Sequence, residues 1–378
     1  MSRVLLRSLV ALVLTAAAVL IGWRVLKPAE VLATVKPPLP TAHREFTEVH
    51  GQLALAPLVI DGKIRVYASK RQVRADTPVD AQSVYTAIWS FRRWPEQLSG
   101  VVAAGESVVS RWTDGDLVAI DATTGKIVWR ATGPAGPDFA GHRTGSATVW
   151  APPGLRVAGP SVLVTAAGMV YAYAKSSGTK LWSATCSAAF TTAGGQVVCP
   201  TGAYDAGTGA TIAAFPPGPF TPLGCDVASS ACAGLRDGDG HGWLTTTPTP
   251  ARAAPLDRPD AALAAGMALY ADGHAIDAST GRARHDFPAG TLLLGASSGR
   301  AVLLTPDRTL ILADPRTGLP STSFPLVRSA ERTDWDVSRW QVTDHHLVVE
   351  RLSGKRHDDN PDTPGYYFSA EPVILAAL

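Results

Sequence analysis

LVAIDATTGKIVWR, residues 117–130, reads as strand, turn, strand. Leu117, Ala119 and Ile120 belong to an apolar stretch that fits a strand buried on one or both faces. Asp121 can accept backbone N–H bonds within the turn, and Gly125 can take the positive φ that other residues resist. Trp129, four residues further on, lands on the outgoing strand, where its ring can bury about 150–250 Å² against a neighbouring sheet.

The same unit recurs. VYAYAKSSGTKLWS (170–183) keeps the glycine and the ring as Gly178 and Trp182. AYDAGTGATIAAF (203–215), HAIDASTGRARHDF (274–287) and LILADPRTGLPSTSF (310–324) keep Asp205 and Gly209, Asp277 and Gly281, and Asp314 and Gly318. In these three the ring has moved two residues on, to Phe215, Phe287 and Phe324. Positions four and six share parity on a strand, so the phenylalanines are expected to take over the packing role. Successive turn glycines are 53, 31, 72 and 37 residues apart, and the long interval predicts a degenerate unit between Cys225 and Thr246.

A hairpin repeated at such intervals cannot bury its own two faces, so copies must stack. Further strands lie in each interval, and four-stranded sheets stacked radially make an all-β propeller. The 328 residues from Gly51 onward predict seven or eight blades at roughly 40–45 residues each. Strands at 53–61 and 371–378 are expected to share one sheet and close the ring. The domain plan is 1–27 apolar helix, 28–50 Pro-containing linker, 51–378 propeller.

The repeat resembles that of the PQQ-like β-propeller family, Ala-x-Asp-x-x-Thr-Gly-x-x-x-Trp. It matches at Ala119, Asp121, Thr124, Gly125 and Trp129, and in part at Ala172, Ser177, Gly178 and Trp182, where Ala174 replaces the aspartate. A short anchor followed by a degenerate propeller is also similar to actinobacterial membrane-anchored propeller proteins. The family includes quinone-dependent dehydrogenases and non-enzymatic scaffolds. The dehydrogenases carry adjacent cysteines, with Glu, Asn and Asp around calcium. No two cysteines are adjacent here and Asn360 is the only asparagine, so no PQQ or other cofactor is expected.

The N-terminus carries Arg3 and Arg7 around an apolar run, 4–21, that continues to about Leu26. About 20 such residues cross a hydrocarbon core roughly 30 Å thick. The run is longer than the 7–15 apolar residues usual in a cleaved signal peptide, and bulky residues follow Ala16–Ala18. An uncleaved, single-pass signal anchor with an extracytoplasmic body is therefore expected, with cleavage as the alternative. Pro28, Pro37, Pro38 and Pro40 then mark an extended spacer holding the body off the bilayer. Four cysteines suit an oxidising compartment. The preferred pairing is Cys186 with Cys199 and Cys225 with Cys232, the alternative being buried free thiols.

A net charge of +2 and the lack of a dense basic tract argue against nucleic acid. Asp237, Asp239 and His241 resemble the start of a calcium loop, but Pro248 stands where the distal acidic ligand belongs, so a hairpin turn is the expectation. His357, Asp358 and Asp359 read as a solvated loop. The Gly-x-Ser-x-Gly match around Ser297 runs into a strand, where a nucleophile elbow needs a helix. Two clusters mix rings and charge as binding hot spots do, Arg92, Arg93 and Trp94, and Trp335 and Trp340; the favoured alternative is that these rings dock neighbouring sheets while their charges stay solvated. The expected function is a non-catalytic, membrane-tethered binding or scaffold module for an envelope protein or ligand. The alternative is a divergent oxidoreductase or other enzyme using the central funnel.

Overall fold

The computed structural model describes residues 3–35, 47–60, 62–77, 79, 86–141, 143–227, 230–327, 334–353 and 372–378. Helix α1 (Arg3–Leu26) comes first; its apolar window, 7–24, is long enough to cross a membrane and is not buried against the rest of the chain. Among the described residues that follow, just over half lie in strands, and nearly all strand pairings are antiparallel. Among the described residues the strands form seven sheets, five of them four-stranded. The seven-stranded one joins two meanders, 190–205 and 221–252, through a short parallel pairing of Thr191 with Ala231 and Thr192 with Cys232. Among the described residues this makes seven sheets, or eight meanders when the two within that sheet are taken separately. The second of the two meanders occupies the interval where a degenerate unit was expected.

The repeat's apolar run is explained by burial on both sides. Leu117, Val118, Ala119 and Ile120 are fully buried, and alternate side chains enter different cores. Val118 and Ile120 pack with Trp89 and Phe91 of the preceding sheet, while Leu117 and Ala119 pack with Leu155 and Val162 of the following one. A strand with a neighbouring sheet on each face reads as continuous hydrophobicity.

Turns and rings lock each sheet to the next. Asp121 Oδ1 accepts the Thr124 N–H at 2.7 Å and the Thr124 hydroxyl at 2.8 Å, and Asp205 holds Thr208 at the same two distances. Asp277 holds Thr280 likewise, and Asp314 accepts from Arg316 N. In the first three turns the closing glycine faces the previous sheet's indole ring. A Cβ on Gly125 would lie 2.5 Å from Trp89, one on Gly178 2.4 Å from Trp129, and one on Gly209 2.6 Å from Trp182. Each indole also donates to a carbonyl in that turn: Trp89 to Ala122, Trp129 to Lys175 and Trp182 to Ala206.

The phenylalanines do not inherit this role. In the 274–287 copy, position four is His285, and its Cβ is what a Cβ on Gly318 would strike, at 2.6 Å. Phe287 lies edge-on to His285 and fills the core beyond it. Phe324 packs at the edge of the last core, and Phe215 pairs with Phe220. Parity puts positions four and six on one face, but only position four reaches the next turn.

The ring closes with the strand β2 (Val49–Leu53), which pairs with Val373–Ala377. The N-terminal partner is earlier than the expected 53–61, since Pro57, which has no N–H to donate to a ladder, separates β2 from β3 (Leu58–Ile60), which opens the first sheet. Gln341, fully buried, ties the two together: its amide donates to Val59 O and accepts from Val59 N.

The stretch read as a free spacer begins as a strand, β1 (Ala29–Thr34), on the outer edge of the first sheet. It runs antiparallel to β6 (Thr86–Trp94), with Ala29 beside Trp94 and Thr34 beside Trp89. The four prolines lie outside this strand, which leaves its N–H groups free to pair.

Candidate functional site

Where β1 leaves α1, the end of β6 and the hairpin between β4 (Ile64–Ser69) and β5 (Gln72–Thr77) surround a shallow hollow. Its lining is Ser69, Lys70, Arg71, Gln72, Arg92, Arg93 and Trp94. Trp94 is 37% exposed, and the Arg71 guanidinium sits 4.2 Å from its ring centre while Arg71 Nε donates to Pro95 O. Arg93 turns toward the second sheet and forks onto Asp114 at 2.9 and 2.8 Å, with Asp116 at 3.0 Å and Glu30 of β1 at 3.6 Å. Burial opposes ionisation of Asp114, but the bonds and charge of Arg93 together with the Asp116 N–H outweigh it and hold the carboxyl below its ordinary range. Glu30 also forks onto Arg130, which raises the guanidinium's already high pKa.

The other two tryptophans do not join this surface. Trp335 is 1% exposed, shut between the guanidinium groups of Arg308 and Arg351. Trp340 is partly buried and donates to Leu294 O of the neighbouring sheet, so it docks sheets together. Both rings thus take the docking role that was the alternative to a contact surface, with the guanidinium groups of Arg308 and Arg351 against the ring of Trp335.

Cys186 and Cys199 are bonded, as are Cys225 and Cys232, and no cysteine is free. Asp237 Oδ1 accepts from Asp239 N and His241 N, and Oδ2 from the Trp243 indole at 2.8 Å, which is the bonding of a turn. Its ligand atoms with Asp239 and His241 could approach a common ion, though Asp239 and His241 are exposed. Ser297 ends the strand Leu292–Ser297, donates to Asp344 O, and is followed by the strand Arg300–Leu304, so no nucleophile elbow forms. His357, Asp358 and Asp359 lie outside the described residues.

One buried cluster escaped the sequence reading. Helix α2 (Ser146–Trp150) packs where the last, first and second sheets meet. Beneath it the fully buried Glu350 accepts from the Thr144 and Ser146 hydroxyls and faces Arg339 at 3.7 Å. Its signal was a carboxylate inside the apolar run 346–352. Two hydroxyl donors and a guanidinium satisfy a carboxylate; they do not fit a calcium ion holding a quinone, which needs further oxygen acceptors.

The family model described as outer membrane protein assembly factor BamB matches residues 41–149 and again 113–215. The body is a PQQ-like repeat propeller. No curated protein matches the chain. Among solved structures it is similar to BamB from Moraxella catarrhalis, at 14% identity over 92% of this chain and 100% of that one, with a TM-score of 0.43. It is also similar to the computationally designed Ika8 protein, at 14% identity over 89% and 100% with a TM-score of 0.46. A europium-containing methanol dehydrogenase follows at 13% identity over 92% and 93%, TM-score 0.42. In this PQQ-like propeller the repeat residues Asp121, Gly125 and Trp129 and their counterparts make the joints between sheets described above.

Proposed function

We propose that this PQQ-like propeller is a non-catalytic binding or scaffold module, tethered to a membrane by a retained α1 with its body outside the cytoplasm, and engaging a protein partner in the cell envelope. The observation that carries the reading is the pairing of β1 with β6 only two residues beyond α1. A body joined so closely to a spanning helix is placed to present its outer surface to envelope proteins. The outer strands Ile127–Thr132 and Lys180–Thr185 suit such contact: each ends its sheet and carries an exposed apolar side chain three residues after the turn glycine, Val128 and Leu181. Sheet edges of this kind accept an added strand, as the first sheet accepts β1.

Photocrosslinking residues at positions 128 and 181 of the full chain, in intact cells, test the proposal. One discrete protein adduct, lost in Val128→Asp and Leu181→Asp variants, is expected. No adduct from either position, with turnover of a quinone-linked substrate by the purified chain, would overturn it.

A further inference from the structure

The hollow beside β1 is close to the bilayer as a matter of chain length. Leu26 and Ala29 are separated by three Cα steps of about 3.8 Å, so the start of β1 lies within about 11 Å of the end of α1. Ala29 pairs with Trp94, which brings the rim of the hollow to the depth of lipid headgroups, a layer that adds several ångströms on each side of the hydrocarbon core.

Its chemistry suits that depth. Arg93 is engaged by Glu30, Asp114 and Asp116. Among the described residues no carboxylate pairs with Lys70, Arg71 or Arg92, and Lys70 and Arg92 are exposed. Arg71 lies over Trp94, Lys70 and Arg92 line the same hollow, and Val31 of β1, opposite Arg92, is 55% exposed. At the end of α1, Trp23 is 66% exposed with the Lys27 ammonium over its ring, and Arg24 adds charge. Indole rings with unpaired cations mark membrane interfaces, where the ring sits among headgroups and the cations meet lipid phosphates.

We infer that this hollow docks on the phosphate groups of anionic phospholipids, so that the edge of the first sheet lies against the membrane and sets the propeller's orientation. The inference rests on α1 being retained as the anchor. A protein partner on the same hollow would be surrounded by lipid within reach of the two-residue link, which is why lipid is favoured.

The test uses the full chain in nanodiscs, with intact mass measured first; loss of residues 1–26 would overturn the anchor and the inference with it. A nitroxide is placed at Ser69→Cys, in the lining of the hollow, or at Lys126→Cys, on a turn at the far end of the second sheet. Relaxation by a nickel-chelating headgroup lipid reports closeness to the bilayer. In phosphatidylglycerol discs, relaxation at position 69 is expected to exceed that at 126 several-fold, and to fall markedly in phosphatidylcholine discs and in the Lys70→Gln, Arg71→Gln, Arg92→Gln triple variant. Equal relaxation at the two positions, or no dependence on lipid charge, would overturn it. So would immobilisation of the label by an envelope-protein extract but not by lipid.

Discussion

The indole of Trp129 covers the backbone of Gly178 in the next sheet, so closely that a Cβ there would lie 2.4 Å from Trp129 Cε3, while Nε1 donates to Lys175 O at 2.8 Å. One glycine and one ring therefore form a joint that neither sheet can make alone.

Gly178→Ala is expected to be costly for two reasons. The φ of +70° strains any side chain, by about 1–2 kcal/mol, and the clash with the ring adds about 1–3 kcal/mol of overpacking. Gly168→Ala, with a φ of +75° but nothing near its Cβ, should show only the first cost. Denaturant unfolding of both variants checks the difference.

Trp129→Phe keeps most of the packing and loses the bond to Lys175, a loss of about 1 kcal/mol. Trp129→Ala empties the joint and should cost about 3–5 kcal/mol. Trp335→Ala should fall in the same range, because that ring is core; a change near zero would return it to the surface.

Both cystines should resist alkylation until the protein is reduced, giving no modified thiols by mass without reductant. Replacing Cys186 and Cys199 together by serine removes a cross-link over 13 residues and should cost about 3 kcal/mol on the chain-entropy scale. Cys225 and Cys232, 7 residues apart, close a shorter loop and should cost less.

Acid should weaken the turns. Bonds from Thr208 lower the pKa of Asp205, bonds from Ser279 and Thr280 lower that of Asp277, and Arg258 with the Ala271 N–H holds Asp260 at about 2. Each folded pKa lies below the unfolded value of about 3.9, so the stabilisation is present above that value and is lost as pH falls toward the folded one. The thermal midpoint should decline from about pH 5 toward pH 2, less steeply in Asp205→Asn and Asp277→Asn variants.

Glu30→Ala should hardly change global stability, within about 1 kcal/mol, because its ion pairs are exposed. Amides of 29–34 should nevertheless exchange faster with deuterium, since all six residues are exposed and Glu30 is the side chain that ties β1 to Arg93 and Arg130.

The sequence by itself determined the all-β repeat, the sheet interiors and the apolar N-terminal helix. Those features depend on neighbours along the chain: the continuous apolar stretch 117–120, the carboxylate of Asp121 four residues before Gly125, and the long apolar run at 4–21. Tertiary structure alone decided which rings dock and which show. Trp94 and Trp335 stand in similar charged surroundings in sequence, yet one lies on an outer edge and the other between two guanidinium groups. It also decided that His285 occupies the joint in place of Phe287, and that the supposed spacer begins as a strand, 29–34. Glu30 meets Arg130 across 100 residues of chain, and a contact at that separation is set by how the first and second sheets stack, which local sequence does not specify.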